Sequence, residues 1–325
     1  MKTNRRQFLY ASALTGAAVA TAELARAGDH IIDRKPLLDT RQANDVSGAG
    51  KLSIFSKNLH WLGYDEMAKV VADLGFDGID LTVRPAGHVL PERVTTDLPK
   101  AVEAIKKAGL SVYMITTAID DATAPHTEAI LKTAGSLGIG QYRPGWFKYD
   151  AKRNIDDYLA DTTSKLKDLA ELSGEHKIVT AYQNHSGEFF GAPIWDLQAA
   201  LRKINSPWLR SQYDIMHATV EGANAWPMGL ELVRPYISSV DIKDFIWEKK
   251  NGKWSAQVVP LGEGMVDFKR FFSKVAEGGW KVPLSVHYEY PLGGVENGAT
   301  TLTMKREDVL LAMKADCVKL RTMMA

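Results

Sequence analysis

The sequence predicts an α/β fold in the form of a single closed (β/α)8 barrel, and three observations carry that expectation. From residue 51 onward, short apolar segments bounded by turn residues alternate eight times with longer segments whose apolar positions recur about every 3.6 residues. Strand–helix alternation dictates parallel strands, and eight units favour closure over an open sheet. No Gly-x-Gly-x-x-Gly follows the first apolar segment, so the open dinucleotide-binding alternative lacks its phosphate loop.

The first strand is expected at 51–56 and its helix at 65–74, ended by Gly75. The second strand, 78–83, reads Gly-Ile-Asp-Leu-Thr-Val, and the helix at 98–108 stops at Gly109, a residue suited to a left-handed C-terminal cap. The third unit (strand 110–116, helix 127–137) and the fourth (139–143, helix 155–172) repeat the pairing of a short apolar strand with an amphipathic helix. The remaining strands are expected at 177–183, 209–214, 237–242 and 282–289, with helices at 194–203, 227–233, 267–276 and 306–320. The seventh unit carries an insertion at 245–260, where Asn251-Gly252 flanked by Trp247 and Trp254 predicts a small hairpin. Loops at this end of a barrel carry specificity, so Trp247 is a candidate substrate contact; a hydrophobic lid packed on the barrel is the alternative.

Ahead of the barrel, Arg5-Arg6-Gln7-Phe8-Leu9, an Ala-rich stretch and Ala25-Arg26-Ala27 resemble a twin-arginine export signal. Removal of residues 1–27 leaves about 300 residues, where a barrel needs about 250. Residues 28–50 then read as a polar leader and 51–325 as the barrel. The expected location is the periplasm, with the twin-arginine export machinery as partner. The apolar stretch is too short and broken for a secure membrane span, and none is expected after processing. Cys317 is the only cysteine, which excludes an intramolecular disulfide. With 40 basic and 39 acidic residues and no long charged run, nothing in the charge favours nucleic acid or an anionic membrane as partner.

Four polar residues, Gln183, Asp214, Asp241 and Glu289, fall where the last four expected strands run into loops. An amide oxygen and three carboxylates form a hard-oxygen donor set suited to a divalent metal, Mn2+ or Mg2+ foremost. The stretches Tyr182-Gln183-Asn184-His185, Asp214-Ile215-Met216-His217, Val240-Asp241-Ile242-Lys243-Asp244, Leu261-Gly262-Glu263-Gly264 and Tyr288-Glu289 follow one another at consecutive strand ends. In that order they resemble the xylose isomerase-like barrel family of sugar isomerases and epimerases, over residue 51 to the C-terminus. Family members usually read Glu-Asn-His, Asp-x-x-His, His-x-Lys-Asp and a lone Glu at these places. The resemblance implies a metal held by Gln183, Asp214, Asp241 and Glu289, and a sugar or keto-sugar as substrate. It also shows two departures: Gln183 stands for a glutamate and Asp241 for a histidine, an exchange that conserves ligand charge.

In family epimerases the two metal-bound glutamates can exchange protons with carbon from opposite sides of the sugar, and Gln183 has no basicity with which to do so. A one-base reaction fits better. Glu289 removes a proton α to a carbonyl and the metal stabilises the enediolate, ending in isomerisation or in β-elimination from a 3-keto-glycoside by a lyase or hydrolase. A non-catalytic periplasmic sugar-binding protein is the reading from another class. His217 and His185 are candidate proton-relay or substrate-binding groups, and Lys243 is a candidate holder of a substrate oxygen. Asp80, Arg84, His88 and Arg143 are expected to complete a polar, substrate-binding rim, with salt bridges the alternative for both arginines. His287 shares the inward face of Glu289 by strand alternation, one layer deeper, either orienting a ligand or packing the core.

Overall fold

The computed structural model describes residues 50–279 and 281–324, so the expected signal and nearly all of the leader lie outside the described residues. Seven parallel strands come first: β1 Leu52–Phe55, β2 Gly78–Val83, β3 Ser111–Thr117, β4 Gln141–Arg143, β5 Val179–Gln183, β6 Leu209–Asp214 and β7 Ile237–Ile242. After an antiparallel hairpin, β8 Asp244–Lys250 and β9 Lys253–Val259, the eighth barrel strand is β10 Leu284–Val286. β1 pairs with both β2 and β10, which closes the ring. Helices α1 Tyr64–Leu74, α2 Val94–Lys107, α3 Thr127–Ser136, α4 Ile155–His176, α5 Trp195–Ile204, α6 Ile215–Gly222, α7 Trp226–Val233, α8 Phe268–Gly278 and α9 Arg306–Met324 lie between and after the strands. Among the described residues, no helix is long and apolar enough to cross a membrane.

The expected barrel is present, and three local differences have physical causes. Helix α2 starts at Val94, before the expected 98, and carries Pro99 inside it. Proline there removes a backbone donor, but the stripe Val94, Leu98, Ala101, Val102 and Ile105 is buried and holds the helix together. A separate short helix, α6, begins directly after Asp214, because the Asp214 carboxylate caps it by accepting from the His217 N–H at 3.0 Å. The last barrel strand is laddered only over Leu284–Val286, and beyond it the Asn58 side chain takes over. Its amide nitrogen donates to the Tyr288 carbonyl at 2.7 Å and its oxygen accepts from the Tyr288 N–H at 3.1 Å, so Glu289 leaves the barrel from a fixed point. The hairpin turns on Asn251 (φ 52°) and Gly252 (φ 80°), both left-handed as a two-residue turn of this kind requires.

Outward-facing strand residues such as Leu52, Ile79, Leu81, Val240 and Ile242 are buried in the layer beneath the helices. The inward faces are polar instead: Asp80, Thr116, Gln212, Ser239, Asp241 and Ser285 are all buried. Burying so many polar groups costs stability unless each is hydrogen-bonded. The barrel interior is therefore where this sequence departs from simple apolar packing.

Candidate functional site

Strand register brings the site together. Asp214 pairs with Asp241 across β6 and β7, Asp241 with Ser285 across β7 and β10, and Gln183 with Gln212 across β5 and β6. Side chains paired in this way point to the same side, so two carboxylates stand side by side over a floor of amides and hydroxyls.

The mouth layer centres on Lys243, 2% exposed, one residue past β7. Its Nζ lies 3.1 Å from Asp214 Oδ2 and 3.2 Å from Glu289 Oε2, and donates to His217 Nε2 at 2.8 Å. His217 Nδ1 is 2.8 Å from Ser186 Oγ, and since Nε2 accepts from Lys243 the network assigns the ring proton to Nδ1. Lys57 Nζ closes the other side of Glu289 at 2.7 Å. Burial works against the Lys243 ammonium, but Asp214, Glu289 and Asp241 together outweigh it and hold its pKa above the usual lysine value. Burial likewise works against the Glu289 carboxylate, and Lys243, Lys57 and His287 overcome it, leaving its pKa well below the ordinary glutamate range. Glu289 is thus a fully charged carboxylate whose side chain keeps 25% exposure at the mouth.

Gln183 bridges the site without offering an oxygen to it. Its Oε1 accepts from Arg143 at 2.5 Å and from the Trp146 indole at 3.2 Å, while Nε2 donates to Asp214 at 2.9 Å and to Asp241 at 2.5 Å. The opposite amide orientation would aim an oxygen at two carboxylates and an NH2 at a guanidinium, so the network fixes this one. A divalent ion at the expected quartet needs oxygens converging from Gln183, Asp214, Asp241 and Glu289. Here one ligand presents nitrogen, and an ammonium sits where two of the carboxylates meet. The quartet does not fit a divalent metal.

One layer down, Asp80, Asp241 and His287 place ligand atoms within 4.8 Å of one another, a group that could hold a metal ion. Asp80 accepts from Thr116 Oγ1 at 2.9 Å and Ser285 Oγ at 3.0 Å, and Asp241 accepts from Gln212 at 2.6 Å. His287 stacks on Phe55 at 4.4 Å, and its Nε2, 3.4 Å from Asp241 Oδ1 and 4.0 Å from Asp80 Oδ2, has no hydrogen-bond partner. An orphaned imidazole nitrogen facing two carboxylates is a donor set that suits a divalent ion. Burial pushes the Asp80 carboxyl up to about 6, although His287 opposes the shift.

The remaining expected residues divide. Asp80 lies within β2, fully enclosed, and not on the rim. Arg143 ends β4 and is also buried, with its guanidinium 4.4 Å from the Trp146 ring. His185 lies tilted against His217 at 3.9 Å and Trp146 at 4.5 Å, and burial holds its pKa down to about 4. His88 stands apart from the carboxylates, edge-on to His60 at 4.9 Å and next to Thr82. Trp247 is on the hairpin, 41% exposed, against Phe245. Asp244 ties down the Leu261-Gly262-Glu263-Gly264 loop by accepting from the N–H groups of Gly262, Gly264 and Val266, and a Cβ on Gly264 would collide with that carboxylate. Three residues at the site were not singled out from sequence: Lys57, Asn58 and Trp146. The strand-end rule that found Glu289 also reaches Lys57, two residues past β1.

Residues 68–305 match the family profile described as Xylose isomerase-like TIM barrel. The chain belongs to that family. Solved structures with the family's barrel include a D-psicose 3-epimerase from Clostridium cellulolyticum H10 with D-tagatose, at 11% identity and TM-score 0.63 over 84% of this chain and 99% of that one. A 3-keto-D-glucoside 4-epimerase from E. coli aligns at 15% identity and TM-score 0.63, over 84% and 99%. A probable 3-DHS dehydratase from Bacillus anthracis, involved in petrobactin synthesis, aligns at 14% identity and TM-score 0.63, over 83% and 98%. At these identities the likeness is one of fold. No curated protein sequence matches the chain.

Proposed function

We propose that this protein is a sugar isomerase or epimerase-like enzyme that moves a proton at the carbon next to a carbonyl, with Glu289 as the base. Membership of the xylose isomerase-like family supports the class, and the names of the similar barrels, epimerases of keto-sugars and a dehydratase, agree with it. The observation that carries the reading is Glu289 itself: a charged, partly accessible carboxylate held between Lys57 at 2.7 Å and Lys243 at 3.2 Å. When Glu289 takes the proton, the C–H electron pair forms a carbon–carbon double bond and the carbonyl oxygen becomes negative. An ammonium that turns from Glu289 to that oxygen frees the base and stabilises the charge in one movement. The proton returns from Glu289 to the former carbonyl carbon while the hydroxyl proton of the enediolate passes to the former carbonyl oxygen, so a carbonyl forms on the first carbon and the isomerisation is complete. Across the site Gln183 is an amide and cannot act as a second base.

The same first step ends in β-elimination when the neighbouring carbon carries a leaving group, and the single base favours that as the second reading. In deuterated water, label at the α carbon of a keto-sugar identifies isomerisation, and release of the β substituent identifies elimination. Glu289→Gln is expected to lower kcat by about 10²–10⁴-fold with a smaller change in KM. Turnover that persists in Glu289→Gln, or that exchanges no carbon-bound proton, refutes the assignment.

A further inference from the structure

Arg84 follows β2 and Arg143 ends β4, and both guanidinium groups lie over the Phe55 ring, at 5.5 Å and 5.9 Å from its centroid. Among the described residues neither belongs to an ion pair, although salt bridges are the ordinary fate of such arginines. Arg143 is 4% exposed, its recorded hydrogen bond goes to the neutral Gln183 amide, and its Nε has no partner. Asp80 and Asp241 act on it through space, but the oxygens of both already accept hydrogen bonds from Thr116, Ser285, Gln212 and Gln183. Arg84 is half-buried, and burial and then the charge of Arg143 hold it at about 10, so the two guanidinium groups work against each other. Asp80 and Glu289 act on both guanidinium groups through space, and Asp214 and Asp241 on Arg143 as well, but no carboxylate is in contact with either, and the aromatic face offsets only part of the cost of burying them. An anion from outside would relieve it.

We infer that Arg84 and Arg143, seated on Phe55, form an oxyanion subsite for a carboxylate or phosphate group carried by the sugar. A guanidinium fork matches the planar or tetrahedral oxygens of such a group with two parallel hydrogen bonds, whereas a neutral hydroxyl uses only one. Arg143 bonds Gln183, which in turn bonds Asp214 and Asp241 beneath Lys243. The subsite therefore adjoins the mouth, and the Phe55 ring beneath it also lies under Lys57, the partner of Glu289. This deepens the proton-transfer reading and rests on it for the identity of the ligand as a sugar.

The test uses the full protein and three probes that share a ring: D-glucuronate, D-glucose 6-phosphate and D-glucose, with affinities from calorimetry or thermal shift. The wild type is expected to prefer at least one anionic sugar over D-glucose by tenfold or more, and the preferred anion tells carboxylate from phosphate. Arg84→Gln, at the half-buried position that tolerates change, should cut that preference roughly tenfold to a hundredfold, as the loss of a charge-assisted contact does. Arg84→Lys should recover only part of it, because an ammonium lacks the fork. Arg143→Gln should act in the same direction, and if it fails to fold Arg84→Gln decides alone. Equal affinity for the three sugars, a preference undiminished in Arg84→Gln, or binding of inorganic phosphate with no gain from the sugar overturns the subsite. Label exchange in neutral keto-sugars together with any of those results sinks the subsite and leaves the proton-transfer reading standing. An anion preference lost in Arg84→Gln, with no carbon-bound proton exchanged in any sugar, does the reverse.

Discussion

The acids of the mouth and the acids one layer below have the same chemistry and opposite surroundings. Glu289 is bracketed by two ammonium groups, and its pKa falls far below the usual range. Asp80 is fully buried with Asp241 nearby, and burial first and that second carboxylate next raise its pKa to about 6 against the pull of His287, Arg143 and the Thr116 hydroxyl. The mouth carries its own cations, so it stays charged and has no place for a metal. In the deep layer no ammonium touches the acids and Arg143 acts on them only through space, so it is the part of the barrel that would accept a proton or a divalent ion. What separates the two is whether a lysine can reach: Lys57 and Lys243 both leave strand ends at the mouth, while the hydrogen bonds to Asp80 below come from Thr116 and Ser285, with His287 3.4–4.0 Å from the two acids.

The largest test of this contrast removes the internal ammonium. Lys243→Met leaves Asp214 buried without its cation, and breaking a buried pair in this way costs about 3–5 kcal/mol. Urea unfolding of the single variant, of Asp214→Asn and of the double variant should show the double losing clearly less than the sum. A single-variant loss below about 1 kcal/mol would mean that Lys243 behaves like a surface ion.

A divalent ion sharpens the same contrast. Manganese at a hundredfold excess over its Kd should stabilise the wild type by about 2.7 kcal/mol if the deep layer binds it. Asp80→Asn should abolish that rise in thermal midpoint and Glu289→Gln should leave it. The reverse pattern would return the ion to the mouth.

The smallest effect is in the pH dependence of stability. His88 is held at about 4, by burial first and by His60 second, against 6.5 when unfolded. Its contribution is intact above pH 6.5 and is lost as pH falls towards 4. Asp80 runs the other way. Its raised pKa lends stability below about pH 4, and that contribution is lost as pH rises through 6. Between pH 4 and 6.5, His88→Gln should flatten the rise of stability with pH by about 1–2 kcal/mol, discounted for partial exposure. Asp80→Asn should steepen it. Changes of the same sign in both variants would contradict the assignment.

The sequence by itself determined the barrel. Period-2 and period-3.6 patterns are local, the Asn251-Gly252 turn is set by two residues, and strand ends reveal themselves as polar residues closing apolar runs. Gln183, Asp214, Asp241 and Glu289 were legible for that reason, and so was the inward alternation that brings His287 beneath Glu289. Partners were not legible. Register alone sets Asp214 beside Asp241, and only ring closure brings β1 against β10, so that Lys57 meets Glu289 across 232 positions of chain. The turn of the Gln183 amide depended on Arg143 and Trp146, the lack of a carboxylate in contact with Arg84 on what the neighbouring strands present, and the height of each acid in the barrel on strand stagger. Composition shows which groups are present, but a carboxylate's charge, its pKa and its fitness for a metal follow from distances of a few ångströms, and the closed barrel sets those.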